Sequence, residues 1–399
     1  MANDGSGPLA GVRVLDASRV LAGPFCGQVL GDLGAEVLKL ERPGSGDETR
    51  GWGPPFAGPF SAYFLSCNRN KRGLTLDLSQ PEGLRLFHEL ARHCDVLLEN
   101  FRADSADRLG LSPSQLLAEH PRLVVCSISG FGRTSPLRDV PGYDFAIQAL
   151  SGLMSITGPA EGPPCKVGVA VTDVLTGLYA AVAVLACLQA RTRSGHGYAI
   201  DLALLDVAVA AQVNMVQAYL TSGTRPARQG NAHLQIVPYQ LFATADSWIV
   251  LAVGNDGQWQ RFCRAAQRDD LAADERFTTN PLRVQNRTVL LPLVESLMRS
   301  KTTGEWESLL QTAEVPHAPV WTYADLFAHP QMSERLRVVV RDPAGRPVDL
   351  VASPFHITGA DRAEPAAPPG LGQHTDEVLT QLLGLSPERL RELRQKGVI

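Results

Sequence analysis

The spacing of apolar and polar residues in the N-terminal third of the chain predicts repeated β-α-β units. Apolar runs of strand length alternate with stretches of helical periodicity. The predicted strands are residues 12–16, 36–40, 74–77, 95–98 and 123–128, and the predicted helices are residues 24–33 and 81–93. This alternation is typical of an α/β protein with a parallel sheet and helices on both faces.

The pattern changes near residue 230, where two β-rich segments precede three helical stretches. We therefore predict a large α/β domain with linker helices at residues 1–229 and a smaller α+β domain at residues 230–335. Residues 336–399 contain two predicted strands, a Pro-rich crossing and two helices. We expect this C-terminal segment to return to the large domain.

The longest apolar run, residues 174–190, contains the polar residues Thr176 and Gln189 as well as Gly177. Its length is at the lower limit for crossing a bilayer. We interpret it as a buried core helix.

Composition restricts the class of protein. Hydrophobic residues make up 44% of the 399 and charged residues 20%, which is typical of a globular chain. The net charge of -4 provides no general attraction to nucleic acid or anionic membranes, so we predict neither as a partner. Seven widely spaced cysteines without a C-x-x-C pair, and an N-terminus without an import signal, predict reduced thiols and a cytoplasmic location.

Several common site motifs are absent from the sequence. The first predicted βα turn, Ala17–Pro24, lacks the paired glycines of a dinucleotide site, and there is no Walker loop or G-x-S-x-G elbow. The nine histidines lack metal-ligand spacing; His88 and His93, for example, are five residues apart. We therefore predict no metal and no permanently bound cofactor.

Basic residues follow several predicted strands. Ligands of parallel sheets bind outside the carboxyl ends of the strands, so these residues could converge on phosphate groups, or could form a solvated surface. They are Lys39, Arg42, Arg69, Lys71, Arg72, Arg102 and Arg108.

Two further features have both a structural and a chemical interpretation. Asp173 precedes the apolar run, so Asp173 or Thr172 could cap a helix, or Asp173 could be a carboxylate nucleophile kept ionised by the helix N-terminus. The segment Gly254, Asn255, Asp256, Gly257 and Gln258 follows a predicted strand. It could be an ordinary turn or a mobile lid.

Six stretches of the sequence form a recognisable set: Arg19–Pro24, Gly31–Asp47, Asn68–Arg72, Glu99–Phe101, Val171–Asp173 and Gly372–Thr375. Through them the chain resembles the class III CoA-transferases, the formyl-CoA and carnitine type, over nearly its whole length. Five further stretches are Gly142–Asp144, Ser151–Met154, Ile156–Pro159, Gly168–Ala170 and Ile236–Gln240. Through these the chain is most similar to the succinyl-CoA:glutarate (dicarboxylate) branch of the family.

The resemblance implies a fold and a site. The fold would be a large Rossmann-like CoA-binding domain and a small domain, with two ring-like chains interlocked as a homodimer. Asp173 would be the nucleophile, 254–258 would be the glycine loop, and a CoA thioester would be a substrate rather than a cofactor. The implied CoA-binding residues are Val20, Leu21, Arg42, Arg72, Leu76, Asn100, Phe101, Arg102, Arg108, Tyr143 and Asp144.

The resemblance also implies the chemistry. CoA would move from an acyl-CoA donor, such as succinyl-CoA, to a free acid, such as glutarate, through aspartyl anhydrides and an aspartyl-CoA thioester. An acyl-CoA racemase is the first alternative, but that branch has a histidine where this chain has Tyr143, and a phenol is a poor base at neutral pH. The second alternative is a non-catalytic CoA-binding protein. For the acceptor's far carboxylate, Arg225, Arg228, His233 and Gln235 are candidates, or simply an exposed linker.

Overall fold

A computed structural model describes residues 6–361 and 364–399 of the protein. The described residues form two compact units. The larger unit comprises those within Met1–Leu153, Val167–Ser222 and Glu334–Ile399, and the smaller unit comprises Met154–Lys166 and Gly223–Ser333.

These boundaries differ from the expected ones. The sequence pattern assigned residues 154–166 to the large domain, but in the structure they pack against residues that follow 223. The N–H of Gly230 donates to the carbonyl of Gly158 at 3.1 Å, and the Arg228 guanidinium donates to the carbonyl of Pro159 at 3.1 Å. No local hydrophobic pattern predicts such a contact between distant segments.

Thirteen strands occur in the described residues. They are β1 (Arg13–Asp16), β2 (Glu36–Glu41), β3 (Phe56–Ala57), β4 (Phe60–Ser61), β5 (Lys71–Thr75), β6 (Val96–Glu99), β7 (Val124–Ser129), β8 (Tyr198–Ala203), β9 (Tyr239–Ala243), β10 (Trp248–Ala252), β11 (His317–Pro319), β12 (Arg337–Arg341) and β13 (Pro347–Val351).

The α-helices of the same residues connect and cover these strands, and one 3-10 turn spans Glu48–Gly51. The helices are α1 (Ala22–Asp32), α2 (Ala62–Cys67), α3 (Pro81–Ala91), α4 (Ala103–Leu109), α5 (Pro113–Glu119), α6 (Asp144–Leu150), α7 (Leu153–Ile156), α8 (Val171–Ser194), α9 (Leu204–Ala210), α10 (Val213–Ser222), α11 (Asp256–Ala265), α12 (Asp269–Ala273), α13 (Asn280–Gln285), α14 (Arg287–Met298), α15 (Thr303–Thr312), α16 (Tyr323–Ala328), α17 (Pro330–Leu336), α18 (Thr375–Leu383) and α19 (Pro387–Gln395).

The larger unit is built on a parallel sheet of six strands within the described chain, in the order β5-β2-β1-β6-β7-β8. All five neighbouring pairs are parallel. Counted along the chain, this is the 3-2-1-4-5-6 order of the Rossmann fold. The prediction of an α/β protein with a parallel sheet is confirmed.

Both faces of this sheet are covered, because successive side chains of a strand point to opposite faces. In β1, Val14 packs into a cluster that includes Ala180 of α8. Its neighbour Leu15 packs into a cluster with Phe87 of α3 and Leu393 of α19. The order of the strands reverses between β1 and β6, and ligands of such sheets bind outside the carboxyl ends at that point.

Helix α8 is only partly a core helix. The helix is long and apolar enough to cross a membrane, but about a third of its most apolar stretch is buried. That buried part packs on α1 and the sheet. Ala180 and Val184 are buried, whereas Tyr179 and Val182 on the opposite face are exposed. The expectation of a buried core helix is therefore wrong for that face.

The smaller unit contains the antiparallel sheet β11-β10-β9. Helices α11, α14 and α15 pack against it through Trp259, Phe262, Val294 and Trp306, all of which are fully buried. This unit has a hydrophobic core of its own.

Candidate active site

Two clefts lie in the larger unit, outside the carboxyl ends of the parallel strands. The first, of about 570 Å³, is lined by residues that follow β1, β2, β5 and β6. The second, of about 360 Å³, is lined by residues that follow β1, β6 and β7, and by Asp173 of α8. Arg19 and Phe101 line both clefts, so the two are adjacent.

Asp173 is the third residue of α8, whose N-cap is Ala170, so the expectation that Asp173 or Thr172 caps the helix is wrong. The cap comes instead from Asp144 at the start of α6. Its Oδ1 accepts the backbone N–H of Thr172 at 2.9 Å and the Thr172 hydroxyl at 2.6 Å. The Asp173 carboxylate is therefore free of a capping role and lines the second cleft.

Asp173 is not held fully ionised at neutral pH, contrary to the sequence-based expectation. Burial, followed by the like charge of Asp144, raises the pKa of Asp173 to about 7. Desolvation and carboxylate repulsion thus outweigh the helix N-terminus. A carboxylate with this pKa is more basic, and so more nucleophilic, than an ordinary aspartate.

The turn between β1 and α1 is held in a strained shape at the second cleft. Val20 has φ 72°, which is unfavourable for a β-branched residue. Its N–H donates to Asp47 Oδ2 at 3.1 Å, and the fully buried Lys39 donates to the same carboxylate at 3.0 Å. Lys39 also donates to the carbonyl of Ser18 at 2.7 Å. This buried network fixes the turn that presents Val20 and Leu21 to the cleft.

Most of the predicted CoA-binding residues line these clefts. Arg42 and Leu76 line the first cleft, and Phe101 lies between the two. The second cleft brings together six of the predicted residues with Asp173: Val20, Leu21, Asn100, Phe101, Arg102 and Tyr143. Asn100 also holds the β1–α1 turn, because its side chain bonds both the N–H and the carbonyl of Arg19, at 3.1 and 2.8 Å.

Three of the predicted CoA-binding residues do not line either cleft. The guanidinium of Arg72 is buried and pairs with Glu36 and Glu377, because β5 begins at Lys71 rather than at 74 and places Arg72 inside the sheet. Arg108 projects into solvent and bonds Ser105 at 3.1 Å. Asp144 caps α8, as described above.

Most of the other basic residues that follow the strands also form ion pairs. Lys71 pairs with Asp16 at 2.8 Å, and Arg69 Nε bonds Asp32 at 2.8 Å, with these side chains buried. Arg42 differs, because it is exposed at the first cleft and forms no ion pair with the described residues. It is therefore available to a phosphate group.

The expected loop at residues 254–258 is the start of a helix in the smaller unit. Asn255 caps α11 by accepting the N–H of Gln258 at 2.9 Å, and Gln258 Oε1 accepts the N–H of Gly254 at 2.6 Å. Asp256 pairs with the buried Arg283 at 2.8 Å. Only Gly254 and Asn255 lie outside the helix, so most of the segment is regular structure rather than a mobile loop.

Two of the four candidates for the acceptor's far carboxylate, Arg228 and His233, form side-chain hydrogen bonds within the smaller unit. Arg228 donates to the carbonyls of Pro159 and Gly162, at 3.1 and 2.6 Å. The ring Nδ1 of His233 accepts the N–H of Gln235 at 3.0 Å. These contacts support a structural role for Arg228 and His233.

Sequence reasoning missed several residues of the site. Arg19, Arg133 and Arg138 line the second cleft, and the latter two follow β7, a position that could have suggested them. Tyr63 of α2 does not follow a strand of the parallel sheet, so its position gave no indication of a role in the site. Burial, followed by the nearby Asp173 carboxylate, raises the pKa of Tyr63 to about 12, so its phenol remains a hydrogen-bond donor close to Asp173.

Comparisons with known proteins identify the family of the chain. The model of "CoA-transferase family III" matches residues 9–375. The chain is 41% identical to "Succinate--glutarate CoA-transferase" of Agrobacterium fabrum, over 94% of this chain and 96% of that protein. It is 39% identical to "Succinyl-CoA:glutarate CoA-transferase" of Homo sapiens, over 98% of this chain and 90% of that protein.

A solved structure agrees as well. A CAIB/BAIF family protein from Brucella suis superposes with a TM-score of 0.83 and 40% identity, covering 94% of this chain and all of that one. The resemblance read from the sequence is thereby confirmed. The chain belongs to CoA-transferase family III and is an enzyme of the CoA-transferase type.

Proposed function

We propose that this enzyme transfers CoA from succinyl-CoA to glutarate, with Asp173 as the covalent nucleophile. The names of the relatives from Agrobacterium fabrum and Homo sapiens support this pair of substrates. The observation that carries the proposed role of Asp173 is its position. The carboxylate lies in a cleft at the carboxyl ends of a parallel sheet and forms no hydrogen bond or ion pair with the described residues.

The proposed reaction stores the thioester free energy in covalent steps. A carboxylate oxygen of Asp173 attacks the thioester carbonyl of succinyl-CoA, the C–S bond breaks, and CoA leaves as a thiolate. The thiolate then attacks the aspartyl carbonyl of the mixed anhydride, which releases succinate and leaves an aspartyl-CoA thioester.

The second half repeats these steps in reverse order. A glutarate carboxylate attacks the aspartyl-CoA carbonyl, which gives a new anhydride and free CoA thiolate. The thiolate attacks the glutaryl carbonyl, forms glutaryl-CoA and regenerates the Asp173 carboxylate. No net proton transfer is needed, because one carboxylate replaces another.

We place the CoA substrate along the two clefts. Arg42 would pair with a phosphate of CoA in the first cleft, beside the apolar surfaces of Leu76 and Phe101. The pantetheine arm would pass Asn100 and Val20 to bring the thioester to Asp173. Arg102 and Tyr143 would complete the second cleft around the acyl group.

Two expectations remain as proposals. The enzyme would act as an interlocked homodimer, for which the exposed apolar side chains Val182 of α8 and Leu220 of α10 provide a surface. All seven cysteines are free thiols, which fits a cytoplasmic location. Light scattering would test the dimer, with a mass twice 43.0 kDa expected.

Trapping of the intermediate tests the nucleophile. The enzyme is incubated with succinyl-CoA, quenched with hydroxylamine, and digested for mass spectrometry. We expect a hydroxamate on the peptide that contains Asp173, and none in Asp173→Asn. An adduct on another residue would refute the proposed nucleophile. Uptake of deuterium at the α-carbon of a chiral 2-methylacyl-CoA, without exchange of CoA between acids, would instead indicate a racemase.

A further inference from the structure

A cluster of potential metal ligands lies outside the candidate active site. His88 on α3 meets Glu119 and His120 at the end of α5. His88 Nδ1 is 2.9 Å from Glu119 Oε2 and 3.4 Å from His120 Nε2. One ligand atom of each residue lies within 4.8 Å of the other two. His88 and His120 are 32 positions apart in sequence, so their spacing gave no indication of a site.

The distances suit a single small cation. Two donors bound to one tetrahedral ion at ~2.0–2.1 Å lie about 3.3 Å apart, close to the separation of the two ring nitrogens. The imidazole rings stack with an interplanar angle of 24°.

The cluster is partly open to solvent and carries one carboxylate. His120 is 6% exposed, whereas the Glu119 side chain is 52% exposed, so water could occupy the remaining coordination positions. Imidazole nitrogens are common metal ligands, and the Glu119 carboxylate supplies one negative charge.

We propose that His88, Glu119 and His120 bind one divalent transition-metal ion of the zinc type. Two imidazoles and a carboxylate favour Zn²⁺, Co²⁺, Ni²⁺ or Cu²⁺ over Mg²⁺ or Ca²⁺, which prefer oxygen ligands only.

The position of the cluster indicates a stabilising role. His88 lies near the end of α3, which leads to the start of β6, and His120 precedes the start of β7. The cluster therefore lies toward the amino ends of the strands, whereas the two clefts lie outside the carboxyl ends. A bound ion would join α3 to the α5–β7 connection and would not contact the substrates.

Metal binding by the full-length protein tests the proposal. After chelation and removal of the chelator, Co²⁺ is titrated and its visible d–d absorption recorded, and Zn²⁺ affinity is measured by calorimetry. We expect one ion per chain and a Zn²⁺-dependent rise in Tm. His88→Ala and Glu119→Gln should weaken Zn²⁺ binding roughly tenfold or more and abolish the rise in Tm.

Controls separate this site from other histidines. His93→Ala removes an exposed histidine near the same helix and should retain wild-type affinity. The rate of CoA transfer should not change with one equivalent of Zn²⁺. The proposal is overturned if the wild type shows no d–d band and no rise in Tm, or if His88→Ala retains wild-type affinity. Zn²⁺ inhibition that persists in His88→Ala would place the ion elsewhere.

Discussion

Asp144 Oδ1 accepts the N–H of Thr172 at 2.9 Å, one residue before the proposed nucleophile Asp173. One carboxylate thus starts helix α8 and, as a like charge, raises the pKa of Asp173. Structural capping and nucleophile basicity are coupled through this single side chain. The two effects can be separated by substitution.

Replacement of Asp144 separates charge from capping. Asp144→Asn keeps an oxygen that can accept from Thr172 but removes the like charge, so the pKa of Asp173 should fall below about 7. Asp144→Ala removes both and should also cost ~1–2 kcal/mol of stability. We expect kcat/KM to fall at a lower pH than in the wild type in both variants, because Asp173 then stays ionised to a lower pH. The Tm should fall mainly in Asp144→Ala. If kcat/KM of Asp144→Asn falls at the same pH as that of the wild type, the coupling is contradicted.

The wild-type rate should depend on pH near neutrality. Asp173 must be ionised to attack, so kcat/KM should fall as pH drops below about 7, approaching tenfold per unit. Initial rates of CoA transfer from succinyl-CoA to glutarate, measured from about pH 5 to about pH 9, test this expectation. A profile that stays flat down to about pH 5 would mean that another group is the nucleophile or that chemistry is not rate-limiting.

Asp173→Asn should lose activity and gain stability. We expect CoA transfer to fall by a factor on the order of 10³ or more, because the covalent route is lost. The native carboxyl ionises near 7 rather than 3.8, so its contribution to stability is full below pH 3.8 and lost as pH rises through 7. The Asn variant should therefore be more stable by roughly 1–3 kcal/mol at about pH 8, and close to the wild type at about pH 4.

Thermal unfolding at both pH values measures this difference. The exposed surface variant Asp269→Asn serves as a matched control and should change neither rate nor Tm appreciably. An Asp173→Asn enzyme with the parental rate would refute the proposed mechanism.

Replacement of Arg42 should weaken substrate binding, whereas replacement of Arg72 should lower stability. Arg42→Ala should raise KM for succinyl-CoA roughly tenfold with Tm unchanged, because an exposed guanidinium at the first cleft is removed. Arg72→Ala removes the partner of Glu377 and one of the two arginines that pair with Glu36, and should cost ~1–3 kcal/mol with little effect on KM. Steady-state kinetics and the Tm of both variants separate a role in substrate binding from a role in stability. The opposite pattern would restore Arg72 as a phosphate ligand.

Gly130 and Gly142 should tolerate no side chain. A Cβ on Gly130 would lie 2.6 Å from the Cα of Gly142, so Gly130→Ala must push apart the two backbones that border the second cleft. We expect a loss of ~2–4 kcal/mol and a clear drop in kcat/KM. Gly304→Ala, where the added Cβ contacts nothing within 4 Å, should be neutral or slightly stabilising. Equal stability of the two variants would contradict this packing.

The sequence predicted the parallel sheet well because its signal is local. Each buried strand is a short apolar run, and the helical periodicity between the runs fixes the parallel direction. The start of β5 was predicted three residues too late because the strand begins with the charged residues Lys71 and Arg72, which interrupt the apolar pattern. These side chains are buried through ion pairs with residues distant in sequence.

Only part of the site could be read from the sequence. Asp173, Asn100 and Phe101 were found through motif resemblance, and the strand ends explain why they converge. Tyr63 was missed because it lies on a short helix far from any strand end. The pKa of Asp173 was misjudged because it depends on burial and on Asp144, and neither can be read from adjacent residues.

The sequence by itself determined the class of fold, the family and the residue proposed to carry the chemistry, because periodicity and motifs are properties of neighbouring residues. Only the tertiary structure decided which basic side chains remain free for a ligand, which carboxylate caps α8, and that His88 meets His120. Those outcomes depend on desolvation and on pairing between segments far apart in the chain, and such distances exist only after folding.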